Sequence, residues 1–205
     1  MIRLEQDGGF WTATIDRPDK ANSLTPEMLE RLCEIAEAAR DARCLVLTGA
    51  GKVFSAGADL DAAKAGMAVS PLWERLSGAL SRLDALTICA LNGTAAGGAM
   101  GMVLACDLRI SVPGAKLFYP VMKLGFLPQP SDPARLAALA GPSRAKMILM
   151  AGAKVPVEEA LTWGLVDRIV IGDLMAEARA LAADTLGATP DHAAAIKALI
   201  RRNPA

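Results

Sequence analysis

Short apolar runs alternate along this chain with longer stretches whose apolar residues recur at helical spacing. Residues 2–6 and 10–16 read as two strands joined at Gly8-Gly9, a hairpin signal. Arg17-Pro18-Asp19-Lys20-Ala21-Asn22 reads as a turn. Thr25-Pro26-Glu27 then starts a helix, because threonine is a favoured N-cap, proline suits the first helical position and a carboxylate suits the first turn. Leu29, Leu32, Cys33, Ile35 and Ala36 form its apolar stripe. A strand over 44–48 follows, then a helix over 71–86 with Leu72, Leu76, Leu80 and Leu83 on one face. The pattern next predicts a strand at 87–91, a buried helix at 97–106, and short strands near 107–112 and 116–118. A proline-rich loop runs from Pro120 to Pro133, and helices come near 134–140, 143–150 and 156–163. A strand at 166–171 and helices near 173–186 and 190–202 complete the order. Strands alternating with helices indicate an α/β domain with parallel strands and crossovers. With no repeat, low-complexity run or linker, residues 1–205 read as a single domain.

Two segments stand out within this order. Phe54-Ser55-Ala56-Gly57-Ala58-Asp59-Leu60 and Asn92-Gly93-Thr94-Ala95-Ala96-Gly97-Gly98-Ala99 are both Gly/Ala-rich turns that follow an apolar run and lead toward a helix. Small residues at such a turn let a ligand approach the backbone. The free N–H groups at the following helix start would face it with the positive end of the helix dipole. Converging on one point, the two turns would make a two-donor pocket for a carbonyl oxygen that gains negative charge, an oxyanion hole.

Composition narrows the remaining possibilities. Hydrophobic residues make up 53% of the 205, and the mean hydropathy is +0.32. No stretch reaches the ~18 uninterrupted apolar residues of a membrane helix, so the excess apolarity reads as a large core plus a subunit interface. Twenty-two basic residues balance 22 acidic ones, which gives no support for nucleic acid or an anionic membrane as partner. The first residues lack the basic and apolar regions of a signal peptide. Cys33, Cys44, Cys89 and Cys106 sit in apolar runs without CxxC spacing and read as buried thiols, so a cytoplasmic location is expected. The one histidine, His192, excludes a multi-histidine metal site and reads as a solvent-facing helix residue. No metal-ligand cluster is expected, and the Gly/Ala turns do not match the GxGxxG of nucleotide-binding folds.

Several segments in order resemble the crotonase, or enoyl-CoA hydratase/isomerase, family. They are Asp16-Arg17-Pro18 with Lys20 and Asn22-Ser23-Leu24, Leu47-Thr48-Gly49 with Gly51, Phe54 to Leu60, Leu91-Asn92-Gly93 with Gly97-Gly98, and Ala105-Cys106-Asp107 with Arg109-Ile110. Lys123-Leu124-Gly125, Gly141-Pro142-Ser143 with Ala145, and Glu159-Ala160 with Trp163-Gly164-Leu165-Val166-Asp167 continue the match. The resemblance implies an α/β spiral of repeated ββα units over about 1–172, a shortened region of C-terminal helices over about 173–205, and a homotrimer or dimer of trimers. It implies an acyl-CoA thioester as ligand and no cofactor beyond the CoA moiety of the substrate. The oxyanion donors carry over to the backbone N–H groups of Ala58 and Gly98. CoA would lie along Ala56, Gly57, Asp59 and Leu60, with Lys20, Ala21 and Gly97 beside it.

The departures from the family pattern bear on the reaction. Hydratases of the family hold water with two glutamates; those positions here are Gly101 and Val121, so classical hydration is not expected. A third catalytic position of some relatives is Gln129, which cannot act as a base near neutral pH and reads either as a loop hydrogen-bonding residue or as a group that orients a water or holds a polar group of the thioester. Asp132 is the one acid between Asp107 and Glu158, and reads either as the N-cap of a helix beginning at Pro133 or as a proton-transfer group. Tyr119, the sole tyrosine, reads as wall packing or as a proton donor. Asp59 reads as a helix cap, Asp107 as a structural bond, and Gly101 as room for a bulkier acyl group or a partner residue. Isomerase- or decarboxylase-type chemistry through a thioester enolate fits these residues best. A relative that binds acyl-CoA but catalyses little is the alternative, and a purely structural scaffold would not explain the two turns.

Overall fold

A computed structural model describes residues 1–202, with side chains described through Ile200. The elements are β1 (Ile2–Asp7), β2 (Phe10–Ile15), α1 (Pro26–Ala38), β3 (Cys44–Gly49), β4 (Val53–Ser55), α2 (Leu60–Lys64) and α3 (Leu72–Arg82). Then come β5 (Leu86–Leu91), β6 (Thr94–Ala96), α4 (Ala99–Ala105), β7 (Leu108–Ser111), β8 (Lys116–Phe118), α5 (Val121–Leu124) and α6 (Asp132–Ala140). The order ends with α7 (Pro142–Leu149), β9 (Val155–Pro156), α8 (Val157–Thr162), β10 (Arg168–Ile169), α9 (Leu174–Gly187) and α10 (Pro190–Arg202).

These strands form two sheets. The larger has the order β1-β2-β3-β5-β7-β10 and is parallel apart from the β1–β2 hairpin. Its central strands are apolar almost throughout because both faces are covered. Alternate residues of β3 divide between two cores: Leu45 and Leu47 face the helices α1, α3 and α4, while Cys44 and Val46 face α9 through Ala178 and Ala182. The smaller sheet runs β4-β6-β8-β9. Each of the pairs β3–β4, β5–β6 and β7–β8 takes the chain from the large sheet into the small one and then into a helix, which repeats the strand–strand–helix unit that the resemblance implies.

In the small sheet β8 falls at the strand expected near 116–118, whereas β4 and β6 were not legible as strands. β4 and β6 are three residues each, too short to show an alternating pattern, and the Gly/Ala residues that follow β4 and make up most of β6 and its exit read as turn. Their parallel pairing, Val53 with Thr94 and Ser55 with Ala95, lays the two turns side by side. Buried Asn22 and half-buried Asn92 pin the corner between β3 and β4. The Asn22 side-chain amide donates to Ala50 O at 2.9 Å and Val53 O at 2.6 Å, and Gly49 N donates to Asn92 Oδ1 at 2.9 Å.

Other boundaries moved for local reasons. The helix expected over 71–86 ends at Arg82, because Leu83 turns extended (ψ 134) to feed β5. The strand expected over 166–171 pairs at Arg168 and Ile169 alone. The loop 120–133 contains the single helical turn α5, closed by Gly125 at φ 72. Thr25 caps α1 as expected, its hydroxyl accepting from Met28 N at 3.3 Å. His192 is exposed on α10. Among the described residues no helix is long and apolar enough to cross a membrane.

Candidate active site

The two Gly/Ala turns meet at one wall of a cavity of about 400 Å³ lined by Ala56, Ala58, Leu60, Trp73, Gly97, Gly98, Phe118, Tyr119, Val121, Phe126 and Leu127, among others. How close the turns come is measured at Gly57. A Cβ built there would lie 2.8 Å from Ala96 O and 3.2 Å from Gly98 N, and its φ of +89 independently favours glycine.

Accounting for the backbone donors identifies what the wall offers. Ala56 N donates to Ala21 O at 3.0 Å, Gly57 N to Ser55 Oγ at 3.1 Å, and Asp59 N to Leu24 O at 2.8 Å. Gly97 N donates to Phe118 O at 3.1 Å. Between these, the N–H groups of Ala58 and Gly98 donate to no acceptor among the described residues. Both residues line the cavity. Two unmatched donors facing one space are what a developing oxyanion requires.

The surroundings hold these donors in place. Asp59 caps α2, with Oδ1 accepting from Asp61 N and Ala62 N, while Oδ2 takes the Arg17 guanidinium at 2.8 Å. The Arg17 bond, and then the cap bonds, hold the Asp59 carboxyl below its usual range. Ala21 carries the unusual φ of 50 for a residue with a side chain, and it is fixed there by its own bond to Pro18 O and by Ala56 N. Gly98 lies against the indole of Trp73, and a Cβ on Gly98 would sit 2.9 Å from that ring. The ring is itself held by its N–H, which donates to Met67 O at 2.8 Å.

The other residues expected at the site fall in three places. Ala56, Ala58, Leu60, Gly97, Gly98 and Tyr119 line the cavity. Gly57, Asp59, Ala21 and exposed Lys20 belong to the adjoining turns. Gln129 and Asp132 lie behind the wall: the Gln129 side chain donates to Ala68 O at 3.2 Å, and its backbone N–H reaches the Tyr119 hydroxyl at 3.4 Å. Asp132 does not cap α6. The helix starts one residue earlier than expected, at Asp132 itself, and the Asp132 carboxylate turns inward to accept the Tyr119 hydroxyl at 3.0 Å. Asp107 is structural, as expected, accepting from Thr87 and from Lys197.

Sequence reasoning missed Trp73 and Glu74. Trp73 reads as one more apolar residue of α3, and only the glycine opposite it signals that its ring is a wall of the site. Glu74 accepts from Ser131 N at 3.2 Å and also from the Ser131 hydroxyl, which anchors the start of α6. No local pattern announces that long-range pair.

Known proteins resemble this chain in sequence and in fold. The family model described as enoyl-CoA hydratase/isomerase matches residues 5–204. The chain is 34% identical to 1,2-epoxyphenylacetyl-CoA isomerase of Escherichia coli strain K12, over 86% of this chain and 72% of that protein. It is likewise 34% identical to carnitinyl-CoA dehydratase of the same strain, over 98% of this chain and 80% of that one. The solved structure of DspI from Pseudomonas aeruginosa superposes with a TM-score of 0.89 at 32% identity, covering 98% of this chain and 80% of the other. The chain belongs to the enoyl-CoA hydratase/isomerase family, the crotonases.

Proposed function

We propose that this protein acts on acyl-CoA thioesters, with the N–H groups of Ala58 and Gly98 receiving the thioester oxygen as it takes up the charge of an enolate. The observation that carries the reading is the pair of unmatched donors at one cavity wall. Such a donor is worth about 10²–10³ in rate. The names of two relatives, 1,2-epoxyphenylacetyl-CoA isomerase and carnitinyl-CoA dehydratase, support the substrate class. CoA lies along Ala56–Leu60, and Lys20 with Lys64 supplies cations for its phosphates.

The reaction is of the isomerase or decarboxylase type. Adding water to a double bond takes groups that hold and activate that water. Among the described residues, no aspartate or glutamate lines the cavity, and the wall is apolar apart from Lys64, Tyr119 and the exposed backbone. The exposed apolar side chains of Met122 and Met150, outside that cavity, support self-association, and a homotrimer or dimer of trimers is the assembly proposed.

A mass-spectrometric screen against saturated, 2-enoyl, 3-enoyl, 3-hydroxyacyl and malonyl-type CoA thioesters tests the reading. A double-bond shift or loss of CO₂ is the expected result. Hydration as the dominant reaction would overturn the reaction type. Tight binding with no product from any member would make the protein a thioester-binding relative, and no binding at all would overturn the oxyanion hole.

A further inference from the structure

Gly101 sits in α4, a helix whose other residues are all apolar. A Cβ at Gly101 would lie 3.1 Å from Asp132 Oδ1 and 3.2 Å from Oδ2. The room left by the missing side chain is therefore filled by a carboxylate from α6. That carboxylate is fully buried. Its Oδ2 accepts the Tyr119 hydroxyl, while Oδ1 has no hydrogen-bond partner among the described residues. The nearest cation, Arg135 Nη1, stands 3.8 Å from Oδ1, beyond hydrogen-bond reach, and is itself buried without a partner. Burial dominates and pushes the Asp132 carboxyl up to about 6; the Tyr119 bond and Arg135 oppose the shift, and Glu74 of α3 adds to it. α4 brings no titratable group to this spot.

Tyr119 lines the cavity that holds the Ala58 and Gly98 donors, and Asp132 does not. Asp132 therefore reaches the cavity lining only by way of Tyr119, whose hydroxyl donates to Oδ2 and accepts from Gln129 N at 3.4 Å. A group so placed cannot attack a substrate, but it can take a proton from the phenol and give it back. Keeping a carboxylate in the interior with one oxygen that accepts no hydrogen bond is costly, and a site that moves protons is where such a cost is commonly found.

We infer that Tyr119 and Asp132 form a proton relay to the α- and γ-carbons of the acyl chain, with Tyr119 as the catalytic group and Asp132 as the positioning residue and proton store behind it. The inference rests on the thioester reading above. In a double-bond shift, a substrate C–H bond breaks and its electron pair forms the enolate (or dienolate), whose oxygen the two backbone N–H groups hold. The released proton bonds to Tyr119 Oη while the phenolic proton passes to Asp132 Oδ2. The same steps in reverse place a proton on a different carbon and restore the carboxylate. Nothing is oxidised or reduced, and no co-reactant is consumed.

The test is exchange of α-hydrogen for deuterium in hexanoyl-CoA incubated with the protein in D₂O, read by mass spectrometry, with hexanoyl-CoA binding measured by calorimetry. The wild-type exchange rate should rise with pH through about 6 and then level. Tyr119→Phe and Asp132→Asn should each lose about 10² or more of the exchange while binding stays within threefold, and Asp132→Asn should lose the pH step. Gly101→Ala, which presses on the carboxylate without touching the cavity, should lower exchange less and displace the step. Full exchange by Tyr119→Phe or Asp132→Asn would overturn the relay and leave the oxyanion hole standing. Binding without exchange by the wild type would also overturn the relay. Failure of the wild type to bind the thioester would instead bring down the reading on which it rests.

Discussion

Gly98→Ala probes the oxyanion turn through a single methyl group. Gly98 has φ −58 and ψ −23, so alanine suits the backbone and the effect must come from contact alone. The added Cβ would lie 2.9 Å from one Trp73 ring carbon and 3.0 Å from two others, against about 3.4 Å for the nearest ordinary contact. Either the ring or the turn must give by about half an ångström. The ring cannot withdraw freely, since it is buried and its N–H is held by Met67 O. The turn therefore yields, and with it the Gly98 N–H. Overpacking of this kind costs about 1–3 kcal/mol, which for a chain of this length lowers Tm by about 2–4 °C per kcal/mol. A displacement near 1 Å can cost about 10² in rate, and loss of the donor about 10²–10³. Steady-state turnover of the best thioester, alongside thermal unfolding, measures both effects. Trp73→Leu in the same chain removes the opposing ring edge and should return part of the lost rate, a coupling that two independent defects would not show. Gly98→Ala with full activity and unchanged Tm, or a double variant no better than the single one, would refute the packing argument.

Gly57→Ala should cost about 2–5 kcal/mol by urea unfolding, since it meets both an adverse φ of +89 and Ala96 O at 2.8 Å. Gly97→Ala should cost only about 1–2 kcal/mol, because its φ is +57 but its nearest neighbour is 3.6 Å away. Asp132→Asn should raise stability at pH 8 while lowering exchange about 10²-fold or more. The folded carboxyl titrates near 6 rather than 3.8, so the folded state binds the extra proton between those values, and stability is lost as pH rises through that window. The loss is up to about 3 kcal/mol at 1.36 kcal/mol per unit; the variant and wild type should converge below pH 4 in thermal melts.

The β1–β2 hairpin, α1 with its Thr25 cap, and the buried strands β3 and β5 were legible because each carries its signal within a few consecutive residues. The two turns were legible as chemistry although not as strands, since clustered Gly and Ala signal close approach whatever holds them together. What could not be read locally was pairing at a distance. β4 meets β6 across some forty residues, Trp73 meets Gly98, and Asp132 meets Gly101 and Tyr119. Asp132 shows the limit best. Asp-Pro-Ala-Arg is a good helix start, and the local rule places that side chain on its own helix's first N–H groups. Tertiary structure turned it inward because a glycine thirty-one residues earlier left a hole of the right size.

The donors of Ala58 and Gly98 belong to the peptide group, and every amino acid except proline carries that group. Replacement of a side chain can misplace these two N–H groups but cannot delete them, so the proposed oxyanion-holding half of the site would be inherited with the fold itself. On the proposed reading, the choice of reaction would then rest on side chains across the cavity, in this chain the Tyr119 phenol backed by the Asp132 carboxylate.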